Sequence, residues 1–453
     1  MVGGNLSLEK MIKKYLITTA QRSATPNYKL LENLDKKAER ESAEILILPT
    51  AGKSIKDEIL HPHLQKNYTI IDGDFKLNNN IRISDFQIRP QQINPLTGIK
   101  RFAQGDKSFI FASPKQHLEY VANSYDAIPK AVMTTGACTR PRYNEKVRTG
   151  RIGKKDHQYG FVEVEIISNS RFQFRHIKSL TNGSFEDLDG LYKEGKFFKR
   201  AQGVKAMVLG DIHHHYLNKE HNQASLEQIN HLKPKNIFLH DTFDGTSISH
   251  HYKGHNIKMF QMAKTQGLDL SKELEDTARY LKTLLSKVPK STNVYMVASN
   301  HDEHLYRYLD EGRFIGDKGN DLIGSKLYTA SLEGYNPLMV GISMFMEIPE
   351  NLKYIERNEG LTLLGYQMGH HGDIGSNGAR GSMRSIEEAN GKSFTGHTHS
   401  AKMFRDTYVV GTSTDLRIGY NIGYSNWTNT NGVLFENGKG VLLNTVKGSW
   451  RGV

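Results

Sequence analysis

The chain has a single cysteine, Cys138, among its 453 residues. One thiol excludes an intramolecular disulfide and a thiolate metal cluster, so a bound metal would have to be held by nitrogen and oxygen. Cys138 itself reads as a small buried residue. Long apolar runs are equally scarce: none approaches the roughly 20 residues that cross a bilayer, and the first residues lack the apolar core of a secretory signal. A cytoplasmic protein with no membrane partner is the expectation. Internal repeats and long low-complexity linkers are also lacking.

Negative charge runs short in one part only. The whole chain carries 60 Lys and Arg against 48 Asp and Glu, a net +12. Residues 1–200 hold 33 of the basic and 22 of the acidic groups, which leaves 27 against 26 for the rest. A basic part joined to a near-neutral one suggests that the first part, or the groove between them, meets a polyanion. The plain alternative is a charge excess that serves solubility, and either way charge speaks of a partner and not of a reaction. The length and a hydrophobic content of 37% fit two or three domains with proper cores.

Residues 1–150 read as a small basic α/β domain, for nucleic-acid binding or assembly. Strand-like runs lie at 15–19, 44–50, 68–71, 81–88, 108–112 and 131–134, and Leu30, Leu31, Leu34 and Ala38 give residues 28–41 a helical apolar face. Ala51-Gly52-Lys53-Ser54 resembles the end of a phosphate-binding loop, but Ile47 stands where that loop needs glycine, so an ordinary turn is expected. Residues 140–155 hold Arg140, Arg142, Lys146, Arg148, Arg151, Lys154 and Lys155. Gly150 and Gly153 are expected to break regular structure there, leaving a loop whose cations neutralise phosphates while Tyr143 stacks on a base; a merely solvated loop is the alternative. A hairpin at 161–167 and 171–177 marks segment 151–202 as the linker to a second domain, 203–453.

Short β-prone runs in that domain each end in polar chemistry. Residues 204–210 deliver Asp211-Ile212-His213, and residues 237–239 deliver His240-Asp241-Thr242-Phe243-Asp244, with a crossover helix expected at 225–232. A helix at 270–285 precedes the strand 294–298, which delivers Asn300-His301-Asp302. Residues 303–335 look like a charged loop with short helices, and the chain turns β-rich after His399. Gly369-His370-His371-Gly372 and Gly396-His397-Thr398-His399 complete the set. The carboxyl edge of a parallel sheet is where open α/β folds bind ligands.

In that order, Asp-x-His, Asp-x-x-Asp, Asn-His-Asp, His-Gly and Gly-His-x-His resemble the five signature motifs of the calcineurin-like metallophosphoesterases, over roughly residues 203–445. The resemblance implies an α/β fold, a β-sandwich flanked by helices, here preceded by the smaller α/β domain. It also implies a dinuclear centre in which Asp211, His213 and His399 bind one metal, Asp241 bridges, and Asn300, His371 and His397 bind the other. His301 matches a histidine that binds no metal but stabilises the transition state and protonates the leaving oxygen. Asp244 and Asp302 match supporting positions where a carboxylate orients a histidine ring. His371 is preferred to its neighbour His370 because it directly precedes Gly372. The family's glycines before the bridging Asp and before the Asn are replaced by His240 and Ser299, which puts local geometry in question. His214, His215, His250, His251 and His255 are expected to be exposed loop residues.

Oxygen and imidazole ligands suit manganese, with iron, zinc or magnesium as alternatives. Two such ions about 3.5–4 Å apart can bind one phosphoryl group and generate a bridging hydroxide near neutral pH. The chain looks most like the manganese-dependent DNA-repair exonuclease branch and its phage-encoded relatives, which would place it in a host cytoplasm. Arg380 and Arg384, in the Gly-rich stretch after His371, are candidate contacts to a nucleic-acid backbone. A DNA nuclease is therefore the first reading, and a homo-oligomer is left open. A phosphatase or cyclic-nucleotide phosphodiesterase acting on a small or protein substrate is the second, and a nucleic-acid-binding or assembly protein with a vestigial metal site the third, disfavoured because every expected ligand is present.

Overall fold

The computed structural model describes residues 12–50, 59–89, 92–103, 105, 107–124, 129–252, 254–265, 267–419 and 421–452. The loop-like motif at Ala51 to Ser54 and the polar lead before residue 12 lie outside them. The chain is α/β and divides into two compact units, Met1–Arg200 with Ser449–Val453, and Ala201–Gly448.

In the first unit a five-stranded sheet has the order Phe172–Lys178, Gly160–Ile166, Lys13–Gln21, Ala43–Thr50, Thr69–Ile70. Lys13–Gln21 and Ala43–Thr50 run parallel, so a crossover is needed, and the helix Tyr28–Glu41 supplies it. Asn27 caps that helix by accepting from the Leu30 amide, and Leu30, Leu31 and Leu34 bury its inner face. The predicted hairpin is present, but residues 151–200 of the expected linker segment 151–202 belong to this unit. Its strand Gly160–Ile166 pairs antiparallel with Lys13–Gln21, placing Glu163 opposite Leu16. A partner so far back in the chain leaves no local trace in sequence. Cys138 is buried as expected, and burial pushes its thiol up to about 12.

Residues 148–155 are a helix and not a loop. Gly150 and Gly153 do not break it, because both face inward: a Cβ on Gly150 would stand 1.9 Å from the Asn144 carbonyl oxygen, and one on Gly153 2.8 Å from the Tyr143 ring. Tyr143 is consequently used up in packing, with its hydroxyl 3.1 Å from His157 Nδ1, and offers no face to a base. The seven cations of residues 140–155 are all exposed.

Beneath the hairpin lies a buried charge network. Arg175 Nη2 meets Glu163 Oε1 and Asp187 Oδ2, each at 2.8 Å, and Lys37 Nζ meets Asp187 at 2.6 Å and Glu163 at 2.9 Å. Burial pushes Glu163 up to about 7 against the pull of the two cations. Burial works on Asp187 too, but Arg175 and Lys37 outweigh it and hold that carboxyl far below the usual range. Removing one cation would strand carboxylates in a dry interior. Arg175→Ala should therefore destabilise the first unit by about 3–5 kcal/mol, read as a lower urea midpoint; an unchanged midpoint would show that the network contributes nothing net.

The second unit holds two sheets. One has the order Leu352–Ile355, Asn293–Val297, Asn236–Leu239, Ala206–Val208, Thr430–Leu434, Gly440–Asn444, its first four strands parallel and its last two antiparallel. The crossover helix begins earlier than expected, at Lys219, because Asn218 caps it by accepting from the His221 amide. The other sheet contains Thr362–Leu363, Tyr366–Gln367, Ser393–Thr395, Thr407–Val409 and Lys402–Phe404. The two sheets pack face to face through stacked Phe394 and Tyr408, 4.5 Å apart, whose rings lie over Gly432 and Gly440. A Cβ on Gly432 would stand 2.8 Å from the Phe394 ring, so this approach requires glycine. Residues 303–335, expected as a charged loop with short helices, carry the helices Glu303–Asp310 and Asp321–Leu332.

Candidate metal centre

The loops that leave Ala206–Val208, Asn236–Leu239, Asn293–Val297, Tyr366–Gln367 and Ser393–Thr395 bring the predicted residues together. Asp211, Asp241 and His371 offer ligand atoms within 4.8 Å of one another, and so do His213, Asp241 and His399. All five of these side chains are buried. His213, Asp241, His397 and His399 each have positive φ, between 40° and 74°, in a region that residues other than glycine rarely adopt. Four strained positions in one site are a functional signature, since strain persists only where the surroundings over-determine it.

The closest nitrogen and oxygen pairs form a narrow set. His213 Nε2 lies 3.0 Å from His399 Nε2, His399 Nε2 3.3 Å from Asp211 Oδ2, and His213 Nε2 3.4 Å from Asp241 Oδ2. On the other side, His371 Nε2 lies 3.2 Å from Asp241 Oδ2 and His397 Nδ1 3.1 Å from Asn300 Oδ1. Ligands held about 2.1 Å from one ion are spaced by about 3.0 Å at right angles and about 3.4 Å at tetrahedral angles. Both carboxylate oxygens of Asp211, Asp241 Oδ1 and His371 Nε2 are buried with no hydrogen-bond partner. Buried polar atoms are normally satisfied, so these residues fit a cation. Asp241 Oδ2 faces His213 on one side and His371 on the other, the place of a carboxylate shared by two ions.

The electrostatics agree. Burial and the neighbouring Asp241 charge push Asp211 up to about 7. Burial opposes charge on His371, yet Asp241 above all lifts it to about 9; burial opposes charge on His213 too, but Asp244 and Asp241 hold it well above the usual imidazole range. Burial, with His371 beside it, drives His397 down to about 4. Protons on His213 and His371 stand where a cation would.

The supporting residues divide. Asp244 does orient a ligand, with Oδ1 2.5 Å from His213 Nδ1, so that His213 turns Nε2 to the centre. Among the described residues the Asp302 carboxylate bonds to no histidine ring: it accepts from the Ser299 amide and the Tyr354 hydroxyl, each at 3.0 Å, and so shapes the turn that carries Asn300. Ser299, standing where glycine was expected, caps that turn by accepting from the His301 amide at 3.1 Å. His301 has Nδ1 2.9 Å from the Asp244 carbonyl oxygen and its ring 4.7 Å from that of His213. The carbonyl fixes the ring's Nδ1 as donor, which leaves Nε2 to exchange a proton.

His371 lies in the centre while His370 stays half-exposed outside it. Arg380 is exposed, with its charge felt at His397; Arg384 instead pairs with Glu388 at 2.9 Å on the surface of its own helix. His214 and His215 are not free loop residues, since His214 Nδ1 meets the Thr242 carbonyl at 3.1 Å and His215 Nδ1 meets Asp244 at 3.3 Å. Two participants escaped sequence reasoning. His240, buried and kept neutral by burial at about 3, sets Nδ1 3.3 Å from His371 Nδ1 and so leaves His371 Nε2 for the centre. Its signal was its place beside Asp241, which had been read only as a lost glycine. Trp427 packs edge-on against His399, ring centroids 4.2 Å apart, and no motif announces it.

No family model matches the chain. The chain is similar to Protein A1 of Escherichia phage T5. The two are 26% identical over 472 aligned residues, which take in 97% of this chain and 83% of that protein. The likeness runs through both compact units and sets the chain beside a phage-encoded relative, without bringing an activity with it.

Gly396 tests the geometry. A Cβ there would stand 2.0 Å from Asp211 Oδ1, so Gly396→Ala must push that carboxylate out of place. We expect this variant to keep its fold by circular dichroism while its manganese affinity, measured calorimetrically, drops at least about tenfold, a loss comparable to removal of a metal's supporting contact; unaltered affinity would remove Asp211 from the ligand set.

Proposed function

We propose that the protein is a phosphodiesterase that hydrolyses the DNA backbone with two divalent metal ions, manganese first among them. The observation that carries this is the convergence of buried Asp and His atoms on both sides of Asp241 at ligand-to-ligand spacing, with both Asp211 oxygens, Asp241 Oδ1 and His371 Nε2 lacking hydrogen-bond partners. Asp211, His213, Asp241 and His399 would hold one ion, and Asp241, Asn300, His371 and His397 the other. Ions held there supply Lewis acidity toward a phosphoryl oxygen and make water nucleophilic near neutral pH. Asp244 and His240 keep the ligand rings turned inward. His301, its ring steadied by Nδ1 donating to the Asp244 carbonyl, would have to take a second proton on Nε2 before passing it to the leaving oxygen; burial lowers the ring's affinity for that proton and the Asp241 charge favours it.

DNA is preferred over a small phosphoester because the first 200 residues carry nearly all of the chain's positive excess. The helix Arg148–Lys155 presents exposed cations, and the charge of exposed Arg380 reaches His397. Such groups bind phosphates without reading sequence.

Two variants separate chemistry from metal binding. His301→Ala should retain its manganese by elemental analysis and lose about 10²–10⁴-fold in rate, the usual worth of a positioned general acid. Asp241→Ala should lose manganese and rate together. Equal metal loss in both would make His301 a ligand, and full activity of the parent protein in excess chelator would end the two-metal reading.

A further inference from the structure

Beside the metal centre three more histidines gather that are not part of it. His250 and His251 stand in a short turn with rings 4.0 Å apart, and His304 sits on the helix Glu303–Asp310. The His304 ring lies 5.2 Å from His250 and 5.4 Å from both His251 and His301. A line of imidazoles thus leads from His213 through His301 to this cluster. Both His250 and His251 are expected as exposed loop residues; His251 is exposed and His250 half-buried, and both rings lie near His304 of the helix.

Ligand atoms of the three rings lie within 4.8 Å of one another, close enough for a cation. Arg307 argues for the opposite charge. Its Nη1 lies 2.7 Å from His250 Nε2. A guanidinium only donates, so His250 Nε2 accepts, and the proton of the neutral ring must sit on Nδ1. That Nδ1 is buried and has no hydrogen-bond partner. A metal at Nδ1 would force the proton onto Nε2 and set two donors face to face. An anion suits an orphaned donor beside a guanidinium. Arg307 is exposed, and no carboxylate among the described residues pairs with it. Glu311, whose charge reaches His250, is already held by Arg313 at 3.0 Å. Arg313 also donates to the Ile248 carbonyl at 2.7 Å, which fixes the turn that carries His250 and His251.

We propose that His250, His251, His304 and Arg307 form an anion subsite that takes a phosphate of the DNA strand neighbouring the one at the metal centre. The subsite rests on the phosphodiesterase reading and gives it substrate preference. Phosphates recur at every nucleotide along a strand, so a chain laid past His301 brings its next groups toward this cluster. A substrate with one phosphate cannot use the subsite.

The test compares a thymidine decanucleotide with bis(p-nitrophenyl) phosphate, using the full chain in manganese. Arg307→Ala and His251→Ala should each raise KM for the decanucleotide, relative to that for the small diester, by about tenfold, the size of one charge-assisted hydrogen bond. Arg307→Lys should recover part of the ratio, and equal melting temperatures confirm folding. A parent that cleaves both substrates, with variants whose ratio is unchanged, overturns the subsite alone. A parent that cleaves neither overturns the reaction, and the subsite is then judged by anisotropy of a labelled decanucleotide, where Arg307→Ala must still weaken binding. Loss of one bound metal equivalent in His251→Ala would make the cluster a cation site and end the proposal.

Discussion

Two carboxylates packed together in a dry volume repel each other unless positive charge sits between them. Around Asp241 the protein packs another carboxylate, Asp211, and the rings of His213, His371 and His399, all buried. Their nitrogen and oxygen atoms face one another across 3.0 to 3.4 Å, and both Asp211 oxygens, Asp241 Oδ1 and His371 Nε2 have no hydrogen-bond partner. Each is expensive to bury unsatisfied, and four of the site's residues are held in left-handed backbone besides. The rest of the second unit follows from the need to hold this arrangement in place.

Parallel strands meet that need because their carboxyl ends form a rigid edge from which several loops leave side by side. Asp211, Asp241 and Asn300 come from three adjacent strands of one sheet, and His371, His397 and His399 from loops of the other. Bringing the sheets close requires glycine where aromatic rings cross, at Gly432 and Gly440, and where Asp211 leans on the backbone, at Gly396. Stability and site are thus coupled: the packing that builds the core sets the ligand spacing to within tenths of an ångström.

Much of this was legible in sequence. The site residues follow short apolar runs, and the order of the motifs brought out seven ligand candidates that the structure gathers in one place. Legibility failed where the information was long-range. The pairing of Gly160–Ile166 with Lys13–Gln21 made an expected linker part of a sheet. Gly150 and Gly153 were taken for breakers because their contacts, Asn144 and Tyr143, appear only once the chain is folded. His240 was read as a missing glycine, although its ring holds His371 in place, and the alliance of His250 with Arg307 crosses a turn and a helix that sequence could not bring together.

The central claim is that the space around Asp241 belongs to two cations. Crystals grown in manganese and measured at the manganese absorption edge decide it directly. Two anomalous peaks about 3.5–4 Å apart, with Asp241 between them and His213 and His371 on opposite sides, are the predicted result. A map with no peak there, or with a single peak that leaves Asn300 and His397 unoccupied, would contradict the account.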